Sequence, residues 1–374
     1  MMKVPELRSN IIIKIFCLFM FLRIFPVNAQ ILQDTASSEL AKKTIDHIYK
    51  YQFDDAGELI LQINHAYPDH PVIFLLRGIL TYRDNYPLVQ GNPSHVSFEK
   101  DMRPCIELSE AEINPEYEIE YLLLNLCARA MLLLFYADND LTIEVIPLAT
   151  STYRHLRRSF DFNSINPDLN YFTGLYNYYR EAYPRVYPIY KSLAFMFPPG
   201  NTDTGLKQLK SAALNSVFLK AESYCILAWI YLYYENNFTQ SLSYSKTLHE
   251  LYPVNPEYLA LYINSLLLKS YDEAEILIDA SSDGTGNKYF DAQMMIFKGI
   301  LMEKKHHDLH LAKEYYNRGI TDIAYFGSYG NEYASYGYYG LSRICEANNE
   351  KQAGKSYRRM ADKLNDFKKV DFGK

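Results

Sequence analysis

The sequence predicts an all-α protein, a right-handed α-solenoid of stacked antiparallel helical hairpins. Apolar residues recur at intervals of three and four along most of the chain, and strand-like alternation is scarce. Polar turns return every ~12–20 residues, the rhythm of paired helices. Proline closes successive segments at Pro68, Pro115, Pro167 and Pro253, where its missing N–H and its ring prevent another helical turn.

The first 29 residues stand apart. Lys3 and Arg8 precede an apolar stretch, IIIKIFCLFMFLRIF, and Val27 and Ala29 are the small residues a signal peptidase needs before a cut at Gln30. The uncharged run 15–22 is too short for a bilayer core, which takes ~20 apolar residues. Cys17 lacks the small residues that precede a lipid-modified cysteine. A cleaved signal peptide over 1–29 is therefore expected, leaving 345 of the 374 residues as one solenoid domain, 30–374. Loss of Lys3, Arg8, Lys14 and Arg23, against Glu6 alone, moves the net charge from −6 to about −9. An acidic chain without a long basic run is a poor partner for nucleic acid. No second long apolar segment follows. The mature protein is thus expected to be exported without a transmembrane span, free or peripherally attached to a membrane. In a Gram-negative bacterium that means the periplasm or the outer membrane.

The elements follow in order. Ser38–Tyr51 and Phe53–Ala66 form a first hairpin, closed by Tyr67-Pro-Asp-His-Pro71. Val72–Tyr82, centred on Gly78, opens a second; its turn is enlarged by NYPLVQGNPSH, and its second helix restarts near Val96 with a kink expected at Pro104. Glu116–Tyr136 and Leu141–Phe160 form the third, and Pro167–Tyr183, centred on Gly174, starts a fourth. The segment 184–204 holds Pro184, Pro188, Pro198 and Pro199, too many for one regular helix, and reads as an irregular insertion with a short helix over 186–195. Gly205–Asn215, the stretch Ala221–Pro256, then Glu257–Lys269 with Asp272–Ala280 continue the series. After the loop SSDGTGN come Tyr289–Lys304 with Leu309–Ile320 and Asn331–Ala347 with Glu350–Leu364, and the polar tail KKVDFGK is placed to cap the stack.

The clearest unit is Ala221–Pro256, two short helices around Asn236-Asn237-Phe238 with Pro253 at the exit. Phe53, Ala56 and Pro68 repeat the spacing of Phe238, Ser241 and Pro253. This pattern resembles the tetratricopeptide repeat, with small or apolar residues at fixed offsets and a late proline, and six to eight divergent units are expected. Ala228 and Ser241, Gly299 and Ala312, and Gly340 and Ala353 are each 13 apart, one more than the repeat's consensus, which points to a turn longer by one residue. Tyr171 to about Leu267, with Gly174, the proline-broken segment and GNTDTGLKQL at 200–209, also resembles the middle of a eukaryotic tetratricopeptide family linked to inclusion-body and lipid-droplet handling. That likeness implies the fold and the insertion; the family's biology is not carried over to an exported chain.

Such repeats line a concave face with their first helices. Taking Gly78, Gly174, Ala228, Gly299 and Gly340 as one structural position turns the next residue, and those four and five further on, towards the groove. Candidates for binding there are Tyr82, Arg83, Tyr178, Tyr179, Trp229, Tyr233, Glu303 and Lys304, with Tyr171 on the same face. Tyr and Trp offer a large apolar area with one hydrogen-bonding tip. With 35 tyrosines in the chain, packing between helices competes with that reading at each position. The stretch 171–190, with seven tyrosines, is a second candidate platform for a peptide or glycan, and 325–339 is a Gly- and Ser-spaced tyrosine cluster that reads as a terminal loop and helix start.

Other chemistry is thinly represented. Cys105, Cys127, Cys225 and Cys345 permit three disulfide pairings, but three of them sit in apolar helical runs, which favours buried free thiols. No CxxC is present. His306 and His310, at i and i+4, would share a helix face as a possible metal pair, but with His307 they fall in a turn without a firm acidic or thiol third ligand, so no metal site is expected. Asn237-Phe238-Thr239 is a glycosylation sequon, and Asp34-Thr35-Ala36 resembles a short bacterial O-glycosylation site. HExxH, GxSxG, P-loop and GxGxxG patterns are absent. The expectation is an exported scaffold or adaptor that binds a protein or peptide partner in its groove, without catalysis or cofactor. The alternative is a glycan- or small-ligand-binding accessory protein of the cell envelope.

Overall fold

A computed structural model describes residues 31, 34–111, 115–188, 191, 197–281, 286–365, 367, 370 and 372. The expected signal peptide, most of the short helix over 186–195 and the centre of the 281–287 loop lie outside them. The described residues form helices and turns, without a strand. Helices α1 (Thr35–Tyr49) and α2 (Phe53–Ala66), α3 (Pro71–Asp84) and α4 (Ser94–Glu110), and α5 (Glu118–Asp138) and α6 (Thr142–Ser159) make three hairpins. Five more follow: α7 (Leu169–Val186) with α8 (Thr202–Asn215), α9 (Lys220–Tyr233) with α10 (Phe238–Leu251), α11 (Pro256–Leu267) with α12 (Tyr271–Ala280), α13 (Lys288–Leu301) with α14 (Leu309–Ile323), and α15 (Asn331–Ala347) with α16 (Lys351–Leu364). Each helix packs on its chain neighbours, so the fold is an all-α solenoid of helical hairpins.

The turn inside a hairpin has a recurring geometry. Tyr51, Asn236, His307 and Asn349 each take the left-handed backbone conformation between the two helices. Five residues later comes the small buried residue of the second helix: Ala56, Ser241, Ala312 and Gly354. This rule corrects one expected pairing. Ala353 is exposed, and the small buried residue of the last helix is Gly354, whose Cβ position faces the Ser342 carbonyl at 3.2 Å. The same geometry places the histidines, with His307 the left-handed turn residue and all three imidazoles exposed.

Proline is tolerated more widely than expected. Pro104, Pro147 and Pro184 lie inside α4, α6 and α7. A proline inside a helix costs ~3 kcal/mol of local propensity. At Pro104 the fully buried Met102 and Cys105 on either side hold the helix to the core and offset that cost. Pro184 falls in the last turn of α7, so that helix runs on to Val186 before the chain leaves it. The GNTDTG segment has a packing reason: a Cβ on Gly174 would lie 3.1 Å from the Gly205 carbonyl, and one on Gly205 would lie 2.6 Å from the Tyr178 amide nitrogen. Only glycine lets α7 and α8 approach this closely.

Helix α5, with the short turn before it, is the one described helix long and apolar enough to cross a membrane, yet 67% of that window is buried inside the protein. It also carries Arg129, whose guanidinium donates to Asn125, Ser151 and Glu110. It is the central helix of the N-terminal core. Cys105, Cys127 and Cys345 are buried free thiols, and Cys225 is a half-buried one.

Candidate functional site on the inner face

The stack curls until its two halves meet. Asn255 and Asn287 cap α11 and α13 with their side-chain oxygens. Their amide nitrogens reach back to the first two hairpins: Asn255 Nδ2 donates to the Tyr49 carbonyl and Asn287 Nδ2 to the Tyr86 carbonyl, both at 3.1 Å. Ser328 donates to Asp140 at 2.8 Å, and Tyr82 and Tyr329 share a hydroxyl contact at 3.3 Å. First helices from distant hairpins therefore face one another across a narrow interior.

Arg83, from the end of α3, sits at the centre. Its guanidinium donates to Glu222 of α9 at 2.7 Å and to Glu257 of α11. It also lies over the rings of Tyr49, Tyr82 and Tyr86. The Tyr49 hydroxyl donates to Glu222 as well. Burial alone would lower the Arg83 pKa, but Glu257 and Glu222 more than reverse that and hold it charged. Burial raises Glu257 despite the opposing pull of Arg83. Yet 21% of each glutamate side chain meets solvent. The two partly exposed glutamates, held by one buried guanidinium, mark a crevice on the inner face.

The aromatic candidates gather next to this pair. Tyr179 packs edge-on to Tyr178 at 5.3 Å and to Tyr234 at 5.2 Å. Trp229 lies 4.8 Å from Tyr233 and 5.7 Å from Tyr234. Tyr171 joins the wall, where burial and then Glu222 raise its hydroxyl pKa. Tyr171, Tyr179 and Trp229 are half-buried, whereas Tyr82, Tyr178 and Tyr233 are buried and give the wall its shape. Their hydroxyls are engaged: Tyr178 donates to Glu235 at 2.5 Å, and Tyr233 meets Tyr336 and the Asn264 amide, each at 3.1 Å. Glu303 and Lys304 lie elsewhere. Glu303 is buried between the last two hairpins, accepting two N–H bonds from Arg343 at 2.6 and 2.8 Å and one from the Tyr316 hydroxyl. Lys304 is half-buried beside it, 3.3 Å away.

Sequence reasoning missed the acidic members of the crevice. Glu222 and Glu257 occupy first turns of first helices, where an acidic residue reads as complementing the helix dipole. Glu332 of α15 and Asp138 of α5 were missed because the elements that enclose them are remote in sequence: Asn264 reaches Glu332, and Glu257 acts on Asp138. Burial pushes Glu332 up to about 7 against the pull of the Tyr336 hydroxyl, and burial together with Glu257 pushes Asp138 to about 7. A carboxyl held above its unfolded pKa, ~4, binds its proton more tightly in the folded state. Its contribution therefore erodes stability as pH rises from about 4 through 7. Glu332→Gln keeps an acceptor for the Tyr336 hydroxyl, which donates at 2.6 Å. The variant is expected to be more stable than the native protein by about 3 kcal/mol at about pH 8, a margin that shrinks to about 1 kcal/mol or less at about pH 5. Urea midpoints at the two pH values check this.

The described residues of the tail after α16 pack inward. Phe367 enters the aromatic cluster, 5.5 Å from Trp229, 5.1 Å from Tyr233 and 5.2 Å from Tyr234. Val370 and Phe372 are buried in the same core cluster. The fold and the crevice together define a helical-repeat solenoid with an aromatic inner face. No family model matches the chain, and no curated protein matches it.

Proposed function

We propose that the protein is an exported tetratricopeptide-like adaptor that holds an extended segment of a protein partner against its inner face. The observation behind this is the convergence of half-buried Tyr171, Tyr179 and Trp229 on one crevice beside the Arg83–Glu222–Glu257 cluster. Rings with polar tips, set in a concave wall, suit a peptide whose side chains need apolar pockets and whose backbone needs donors and acceptors. Tyr82, Tyr178 and Tyr233 shape the wall, and Arg83 sets its charge. Glu303 and Lys304 belong to the packing of the last hairpins in this reading. Export rests on the sequence of residues 1–29, and in a Gram-negative bacterium it places the adaptor in the periplasm or at the outer membrane. A second reading, a glycan- or small-ligand-binding envelope protein, is favoured by Tyr183, which is 38% exposed and whose ring lies 4.6 Å from that of Tyr187.

A photo-crosslinking amino acid placed at Tyr171 tests the adaptor reading, with the same group at Ile143, 84% exposed, as the control. Irradiation in cells is expected to give a polypeptide adduct at position 171 that is absent at 143 and lost when Trp229→Ala is added. Adducts at both positions, or at neither, overturn it. A thermal-shift response to a polysaccharide that Tyr183→Ala abolishes supports the second reading instead.

A further inference from the structure

We propose that the tail side chains of Phe367, Val370 and Phe372 are built-in occupants of the inner face, and that the partner they stand in for is a segment carrying two aromatic side chains five residues apart. This rests on the adaptor reading and says what the crevice accepts and what blocks it. The tail sequence is Asn365-Asp-Phe-Lys-Lys-Val-Asp-Phe-Gly-Lys374. Its apolar residues are the ones the protein takes in. Phe367 closes over Trp229, Tyr233 and Tyr234, Val370 is fully buried, and Phe372 meets Tyr336 edge-on at 5.1 Å. Trp229, Tyr233 and Tyr234 come from the end of α9 and Tyr336 from α15, so the rings of Phe367 and Phe372 meet first helices of different hairpins, as the anchors of a groove ligand would.

The way the tail is held favours exchange. Asn365 donates to Ser335 at 3.0 Å, and the Phe367 amide returns to the Asn365 side chain at 2.7 Å. The Val370 amide donates to the Phe367 carbonyl at 3.1 Å. Among the described tail residues, one of these three bonds reaches the body of the protein and two are internal to the tail, while both rings are inserted among aromatic side chains of the body. Phe372 takes a left-handed backbone conformation that an L residue disfavours and that release would relieve. Such an occupant lowers the apparent affinity for a partner by the fraction of molecules in which it is docked. The partner needs the same ring spacing, because the pockets at Trp229 and at Tyr336 are fixed by helices packed into the core.

Trp229 is the sole tryptophan, so its fluorescence reports on this contact. The experiment uses the full chain and the variant Phe367→Ala/Phe372→Ala, with a fluorescein-labelled synthetic peptide of residues 365–374 as probe. In the variant, acrylamide quenching of Trp229 is expected to rise at least twofold and to fall back when the peptide is added. The peptide is expected to bind the variant at least tenfold more tightly than the native chain, and a peptide with both phenylalanines replaced by alanine is expected not to bind. Unchanged quenching, or no binding to the variant, overturns the proposal. Loss of helical content or of cooperative unfolding in the variant also overturns it, since the tail is then a fixed part of the core. Failure of the peptide while a polypeptide still crosslinks at position 171 removes this inference and leaves the adaptor reading standing; peptide binding without a crosslink removes the adaptor reading and, with it, the partner assigned here.

Discussion

Arg83→Met is expected to destabilise the protein by about 3–5 kcal/mol, the cost of leaving buried charges without their partner. The native guanidinium sits between Glu222 and Glu257, which come from two other hairpins. Without it two carboxylates face each other in a crevice where burial already raises Glu257. They then hold protons more tightly in the folded state, so the loss is larger at about pH 8 than at about pH 5. The triple variant Arg83→Met/Glu222→Gln/Glu257→Gln removes the charges together and is expected to recover most of the stability. Urea unfolding of the single and triple variants at both pH values measures this. A single variant with a native-like midpoint would mean that the contact between the two halves does not depend on this cluster.

The cluster also marks where the sequence stopped being informative. Periodicity, turn residues and the closing prolines are local signals, and they place the hairpins to within a few residues. The register argument from Gly78, Gly174 and Ala228 also put Tyr82, Arg83, Tyr179 and Trp229 on the inner side of the first helices, because one small residue per helix orients the rest of that helix. What it lacked was closure of the superhelix. Whether Arg83 lines an open groove or grips Glu222 depends on residues 139 positions apart meeting in space, and no local pattern carries that information. Glu303 was misleading for a related reason: its partner Arg343 belongs to the next hairpin, 40 residues on. The tail is the third case. KKVDFGK reads as polar by composition, but its Val370 and Phe372, two residues apart, are both taken into the core.

Gly340→Ala is expected to cost about 3 kcal/mol, at the upper end of what overpacking produces. A Cβ there would lie 2.2 and 2.3 Å from two atoms of the Tyr316 ring. The ring has no room to retreat, because a Cβ on Gly299 would lie 2.6 Å from its other side. Its hydroxyl is tied to Glu303 at 2.7 Å, and Glu303 is itself gripped by Arg343. Tyr316 of α14 is thus clamped between first helices of successive hairpins, and the two glycines set how closely those helices stack. Gly57→Ala is the matched control: it too lies inside a helix, but nothing lies within 4 Å of its Cβ position. There the better helix propensity of alanine is expected to stabilise by ~0.5–1 kcal/mol. Adding Tyr316→Leu to Gly340→Ala separates the clamp from a general intolerance of α15. If the ring is what resists the methyl group, the double variant is more stable than the sum of the two single losses by at least about 1 kcal/mol. If the losses add, the resistance comes from the α15 backbone, and the small residues of the first helices do not set the stacking distance.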